Sequence, residues 1–351
     1  MVLPQHAAAR DAGLPPATHH RLDTGLIRLA PHETLVGDCA AVADALAAWR
    51  TDPTTLVAAH PAHVFRPLSE RLDRWRAAGV DVAPFHAGLY LARNRYNQLG
   101  LRHMLPLDRV LVGAESTHGG AFGGFHHRDQ GYRHLQMAAL ITMYGPMQQD
   151  TPADPGLAMM DVLRAYAHDC LHYGSARRYV LVDGQPTRTQ YGVNWRRPNG
   201  RTYSAADPQD ASHTRNLGVV MEGACDREAR RITRHIAARY GITGPSSPAD
   251  PGWWAYRDVT GQLNDGEPPA IDGEAGAYVT SMGRYERGVN RRYAAWLTEF
   301  GSGESEDLHD LVLTATVNGD SSSLCHWLDS RHGPGTFSGA FQADGYFALG
   351  A

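Results

Sequence analysis

Ala165-Tyr166-Ala167-His168-Asp169-Cys170-Leu171-His172-Tyr173 is the stretch on which the chain turns. It lies in a longer run, Leu157 to Arg177, whose apolar and small residues (Leu157, Met160, Leu163, Ala167, Cys170, Leu171, Gly174) are spread along a helix that Asp154 or Pro155 starts. On a helix, residues four apart project from one face about one turn apart, so the imidazoles of His168 and His172 point the same way. Two imidazoles so placed can grip one metal ion. A catalytic zinc site takes a third protein ligand, often a carboxylate, and leaves a further position open. Glu222, in the segment Val219 to Ala229, is the candidate for that ligand, and Asp226 shares its helix face four residues on.

C-terminal to the histidines, Tyr179 to Val182, the turn Asp183-Gly184, Thr187 to Trp195 and Arg201 to Ser204 read as short strands of a small antiparallel ribbon. Ser212 or Asn216 caps a second long helix that runs to about Tyr240 and stops at Gly241. If the ribbon folds back, this helix lies across the first and brings Glu222 to the histidines. Pro245 to Asp265 reads as a Pro/Gly-rich connection holding Trp253 and Trp254, Tyr278 to Phe300 as an amphipathic helix, and Leu308 to Val317 and Leu324 to Leu328 as shorter elements.

Toward the N-terminus, the chain up to about Thr24 is a loose arm, and Leu26 to Leu29 a short strand. Asp38 to Trp49 and Leu68 to Ala78 are amphipathic helices, the second ended by Gly79. Leu89 to Leu111 is ambiguous. Ser116 to Gln130 reads as a glycine-loosened loop carrying His118, Phe122, Phe125, His126 and His127, followed by a helix over Tyr132 to Tyr144 and a Pro-containing turn over Thr151 to Gly156.

Composition narrows the chemistry. The formal charge of -4 comes from 33 basic and 37 acidic residues scattered along 351, which argues against an extended nucleic-acid surface. Every basic residue is an arginine, so Schiff-base chemistry, a phosphate-binding P-loop and a lysine general base are excluded. Cys39, Cys170, Cys225 and Cys325 form no CxxC pair and read as reduced, mostly buried thiols. No apolar run resembles a secretory signal or approaches 18 continuous residues, so the expectation is a soluble cytoplasmic protein without membrane contact. Arg188, Arg196, Arg197 and Arg201 on the ribbon read as a solvated strand face rather than an anion site, and Trp253-Trp254 suits buried packing as well as a pocket wall.

The pair of segments His168-Asp169-Cys170-Leu171-His172 and Glu222-Gly223-Ala224-Cys225-Asp226 resembles the gluzincin branch of zinc metallopeptidases, whose pattern is HExxH followed by a glutamate ligand, often written ExxxD. The resemblance spans about a sixth of the chain. It implies His168, His172 and Glu222 as zinc ligands, with Asp226 orienting a ligand histidine from behind. Where that family has a glutamate general base, this chain has Asp169, one methylene shorter. Misplacements of about 1 Å can lower rates about 100-fold, so a small or specialised amide substrate fits better than general proteolysis. Two histidines and a carboxylate also suit iron(II), and hence an oxygen-using enzyme. His168-Asp169 with an upstream histidine and a downstream aspartate also resembles the HD-domain phosphohydrolases, which would place the metal on His134, His168, Asp169 and Asp226. A third class is a metal-stabilised binding protein with a closed coordination shell.

The expected molecule is therefore a mainly helical α+β enzyme with a small antiparallel ribbon between two metal-bearing helices. Residues 1–24 form a flexible arm, 25–130 an N-terminal α/β subdomain and 131–351 the metal-binding catalytic region. Its expected activity is metal-dependent hydrolysis of an amide or peptide-like bond in a small-molecule or peptide substrate, with zinc, or alternatively iron, on His168, His172 and Glu222, Asp169 as general base and Asp226 behind the ligands.

Overall fold

The computed structural model describes residues 33–51, 66–102, 104–105, 107, 110–113, 123–126, 133–136, 151–197, 199, 201–263, 271 and 273–341. Helices dominate, with two small mixed sheets, which is the mainly helical α+β architecture expected. Helix α1 spans Cys39–Thr51, α2 Leu68–Ala77 and α3 Ala83–Gln98, the last resolving the ambiguous segment as helix for its first half. The two long helices are α4, Pro155–Gly174, and α5, Leu217–Tyr240. After them come α6, Pro251–Val259; α7, Gly273–Tyr285; a π-helical turn, Glu286–Asn290; and α8, Arg291–Gly301. The chain then closes with α9, Ser305–Asn318; α10, Ser322–His332; and α11, Thr336–Phe341.

Local chemistry sets the ends of the long pair. Asp154 caps α4 by accepting from the Leu157 amide at 2.9 Å, and Pro155 occupies the first turn, where its missing N–H leaves no bond unmade. Of the two candidate caps for α5 the structure selects Asn216, whose side chain accepts from Gly218 and Val219, and Gly241 ends the helix in the left-handed region at φ 64°. Nearly every side chain of α4 from Leu157 to Gly174 is buried, so it is a central helix rather than an amphipathic surface one. It packs along α5, while α3 and α6 also pack on it. One apolar core runs from Leu68 in α2 to Phe341 in α11.

The ribbon between the long helices is present: β6, Arg177–Val182, and β7, Gln185–Tyr191, pair antiparallel across Asp183-Gly184, both at positive φ as a two-residue hairpin turn requires. Three details differ from expectation. The strand expected over Thr187 to Trp195 is broken by a turn at Gly192, so that β8 is only Asn194–Trp195. Arg201 to Ser204 is not a strand and contributes one bridge, Arg196 to Thr202. A further strand, β1 (Glu33–Leu35), adds parallel to β6, making the sheet mixed in the order β1-β6-β7-β8.

The helix expected over Tyr132 to Tyr144 is not formed at its start, because Arg133–Gln136 is strand β5. It pairs with β3 (Val110–Gly113) and with β4 (Gly123–His126), so the loop expected over Ser116 to Gln130 carries a strand as well. With β2, Arg66–Pro67, these form a second sheet in the order β2-β3-β5-β4. His118, Phe122, His127, the short strand expected over Leu26 to Leu29 and the arm to Thr24 lie outside the described residues. The connection expected from Pro245 to Asp265 instead contains α6, capped by Asp250 with Pro251 in its first turn. Among the described residues no helix is long and apolar enough to cross a membrane.

Gly223 fixes how closely α8 approaches α5. A Cβ there would lie 2.4 Å from Cβ and 2.7 Å from Cγ of Tyr293, atoms at the base of the side chain that cannot swing away. Gly223→Ala is expected to destabilise the fold by about 1–3 kcal/mol, the usual penalty of overpacking, read as a lower denaturant midpoint with an unchanged slope.

Candidate metal centre

His168, His172 and Glu222 converge. Each offers one ligand atom, and these atoms lie within 4.8 Å of one another. Glu222 Oε1 is 3.3 Å from His168 Nε2, and its Oε2 is 2.9 Å from His172 Nε2. With ligand bonds of about 2.0–2.1 Å, a tetrahedral ion would separate its donors by roughly 3.4 Å, so little movement is needed to place all three around one. The imidazole rings lie 4.5 Å apart between centroids. Both histidine side chains are largely buried, at 14% and 6% exposure, whereas Glu222 keeps 32% and is the side of the cluster open to solvent.

Each of the three side chains is held from behind. The Tyr191 hydroxyl is 2.8 Å from His172 Nδ1 and also donates to the His172 carbonyl, which directs Nε2 toward Glu222. Asp226 lies one turn beyond Glu222 on α5, with Oδ1 3.6 Å from His168 Nδ1, an electrostatic contact rather than a hydrogen bond. Glu222 Oε1 accepts from the Tyr285 hydroxyl at 2.9 Å. Sequence reading reached His168, His172, Glu222 and Asp226. Tyr191 carries no motif, and Tyr285 lay unmarked on the helix expected from Tyr278.

Beneath the three side chains is a layer of buried charge. Arg164 contacts Asp226 Oδ1 at 2.6 Å, and Arg230 contacts Asp226 Oδ2 at 2.9 Å. Arg230 also binds Glu286 at 2.7 Å and pairs closely with Asp258. Burial alone would raise the Asp226 carboxyl, but the two guanidiniums outweigh it and hold the group well below the usual range. Burial, then Glu222 and Asp226, push the Tyr285 hydroxyl well above 10, so it stays a donor.

Asp169 is buried at 1% exposure and is not among the three residues whose ligand atoms group together. His134 sits on β5, and the helical placement that the phosphohydrolase resemblance needs is absent there. Cys170 and Cys225 are buried, reduced thiols, as expected, whereas Cys39 is exposed and Cys325 half-buried. On the ribbon, Arg188 is stacked 4.4 Å from the Tyr191 ring and Arg197 4.8 Å from that of Tyr203, so these two arginines are engaged with aromatics.

Without a metal, the cluster carries a proton. Burial by itself would lower the His168 imidazole, but Glu222, with Asp226, more than compensates and raises it from about 6.5 to about 9. A raised histidine stabilises the fold fully below its unfolded value and loses that contribution as pH rises through the folded one. Metal-free protein is therefore expected to lose on the order of 3 kcal/mol between about pH 6.5 and 9, measured by denaturant unfolding, and Glu222→Gln to flatten that dependence. No protein-family model matches the chain, and comparison with curated proteins and with solved structures gives no match.

Proposed function

We infer that His168, His172 and Glu222 bind one divalent ion, zinc foremost, and that the centre hydrolyses an amide or peptide-like bond in a small or specialised substrate. The observation that carries this reading is the convergence of three donors from two helices, with the two imidazoles backed by Tyr191 and Asp226. Charge supports it. With His168 neutral, as a metal ligand must be, Glu222 (through His168), Asp226, Asp258 and Glu286 are joined among the described residues by ion pairs to Arg164 and Arg230, two positive charges fewer, which a divalent ion would supply. Asp161 does not enlarge that deficit in full, since burial pushes its carboxyl up to about 7 against the pull of Arg164, with Asp258 adding to the rise.

A bound ion at such a centre supplies Lewis acidity, polarising a carbonyl and lowering the pKa of water. The chain's own residues do the rest. Tyr191 and Asp226 hold the imidazoles, the open side at Glu222 admits substrate, and Tyr285 holds a proton 2.9 Å from Glu222. Asp169 is the proposed base, as the residue following His168 on α4.

Elemental analysis of protein purified without chelator tests the reading. Close to one equivalent of zinc is expected in the wild type, falling at least tenfold in His168→Ala, His172→Ala and Glu222→Ala. Asp169→Asn is expected to keep the metal and lose cleavage across a panel of small amides. Iron in place of zinc would move the activity to oxygen chemistry on the same ligands. Metal that no exchangeable water reaches would instead mark a structural site. Wild-type protein that takes up neither ion on reconstitution would refute the centre.

A further inference from the structure

Tyr285 and Glu286 are consecutive, yet their side chains serve different partners on α5. The Tyr285 hydroxyl donates to Glu222. Glu286 accepts from Arg230, which in turn holds Asp226 against His168. Glu222 and Arg230 are eight residues apart on α5, roughly 12 Å along the axis, so two neighbouring residues reach both ends of the centre's support.

The backbone between α7 and α8 explains how they are held. Glu286–Asn290 is a π-helical turn, closed by the Arg291 amide donating to the Glu286 carbonyl five residues back. Such turns inside α-helices are uncommon and are frequently found at functional sites. Here the turn opens with Glu286 itself, and Asn290 at its far end donates to the Glu286 carboxylate at 3.1 Å. Arg164 lies over the Tyr285 ring at 5.7 Å and also binds Asp226, joining the two arms from α4.

We propose that Tyr285 and Glu286, aimed by this π-helical turn, are a positioning pair for the metal centre: Tyr285 sets the Glu222 carboxylate, and Glu286 sets His168 through Arg230 and Asp226. The proposal rests on the metal-binding reading above. Groups placed behind ligands in this way typically change metal affinity by about 10–100-fold when altered. Losing the Tyr285 hydroxyl frees Glu222 to rotate, and losing the Glu286 charge slackens Arg230 and with it the carboxylate behind His168.

Cobalt(II) is the probe, because its visible absorption reports ligand geometry independently of any activity. Affinity and spectrum are measured for wild type, Tyr285→Phe, Glu286→Gln, Glu286→Asp and Glu222→Ala, alongside the unfolding midpoint of each metal-free protein. The expected result is one cobalt in the wild type, none in Glu222→Ala, and affinity about 10–100-fold lower with an altered spectrum in Tyr285→Phe and Glu286→Gln. Partial recovery in Glu286→Asp and an unchanged metal-free midpoint for Tyr285→Phe would separate positioning from loss of fold. Wild-type affinity and spectrum in both variants, with Glu222→Ala still unable to bind, would overturn the pair and leave the centre standing. A wild type that binds neither cobalt nor zinc would remove the centre and the pair together. If Glu286→Gln does not fold, Tyr285→Phe alone decides.

Discussion

Asp226 is the carboxylate that no water reaches, and its pairing with Arg164 and Arg230 is the constraint under which the middle of the molecule is built. An ionised group taken wholly out of water carries a desolvation penalty of several kcal/mol, tolerable only when close opposite charges surround it. Arg164 comes from α4 and Arg230 from α5, so the same contact that keeps Asp226 ionised also fixes the separation and rotation of the two long helices. Because His168 and Glu222 sit one turn away on those helices, helix registry and the geometry of the His168–Glu222 pair are set together. Replacing this layer by apolar side chains of equal volume could match its stability, but would not hold the two helices at one rotation.

From Asp226 the charge pattern spreads outward in a chain whose links come from different parts of the sequence. Arg230 gathers Asp258 from α6 and Glu286 from the π-helical turn, and Arg164 leans on the Tyr285 ring. A second buried set lies on the same helix: Glu228 meets His309, which meets Tyr293, the residue packed on Gly223. Burial would raise Glu228, but His309, Arg231 and Arg95 lower it to about 2. α5 is thus held by polar contacts on two sides, and the apolar core fills what lies between.

What the sequence disclosed follows the reach of local rules. The four-residue spacing of His168 and His172, the stop at Gly241 and one of the two candidate caps, Asn216, are decided within a turn or two of helix, and the structure has them. The carboxylate partner was legible because Glu222 and Asp226 repeat that spacing. Arg164 and Arg230 were not, since an arginine that will be buried looks like any of the others until its partners from distant segments are in place. Pro251 misled, read as part of a connection when it sits in the first turn of α6, where a missing N–H is harmless. Arg133–Gln136 took strand over helix, because pairing with β3 and β4 outweighs local spacing. The π-helical turn has no composition of its own, and Tyr191 and Tyr285 become site residues only through tertiary contact.

The uneven exposure of the three donors gives the proposed centre a direction. With both imidazoles largely buried and a third of Glu222 facing water, an incoming ion meets a carboxylate first and the nitrogens afterward. Loading of the proposed centre would then be a sequence, capture by the carboxylate before transfer to the nitrogens, and departure would run through the same oxygens. Hard, oxygen-seeking ions abundant in solution would visit those oxygens and leave, while ions that prefer nitrogen would be drawn inward, so selectivity among metals becomes partly a matter of kinetics.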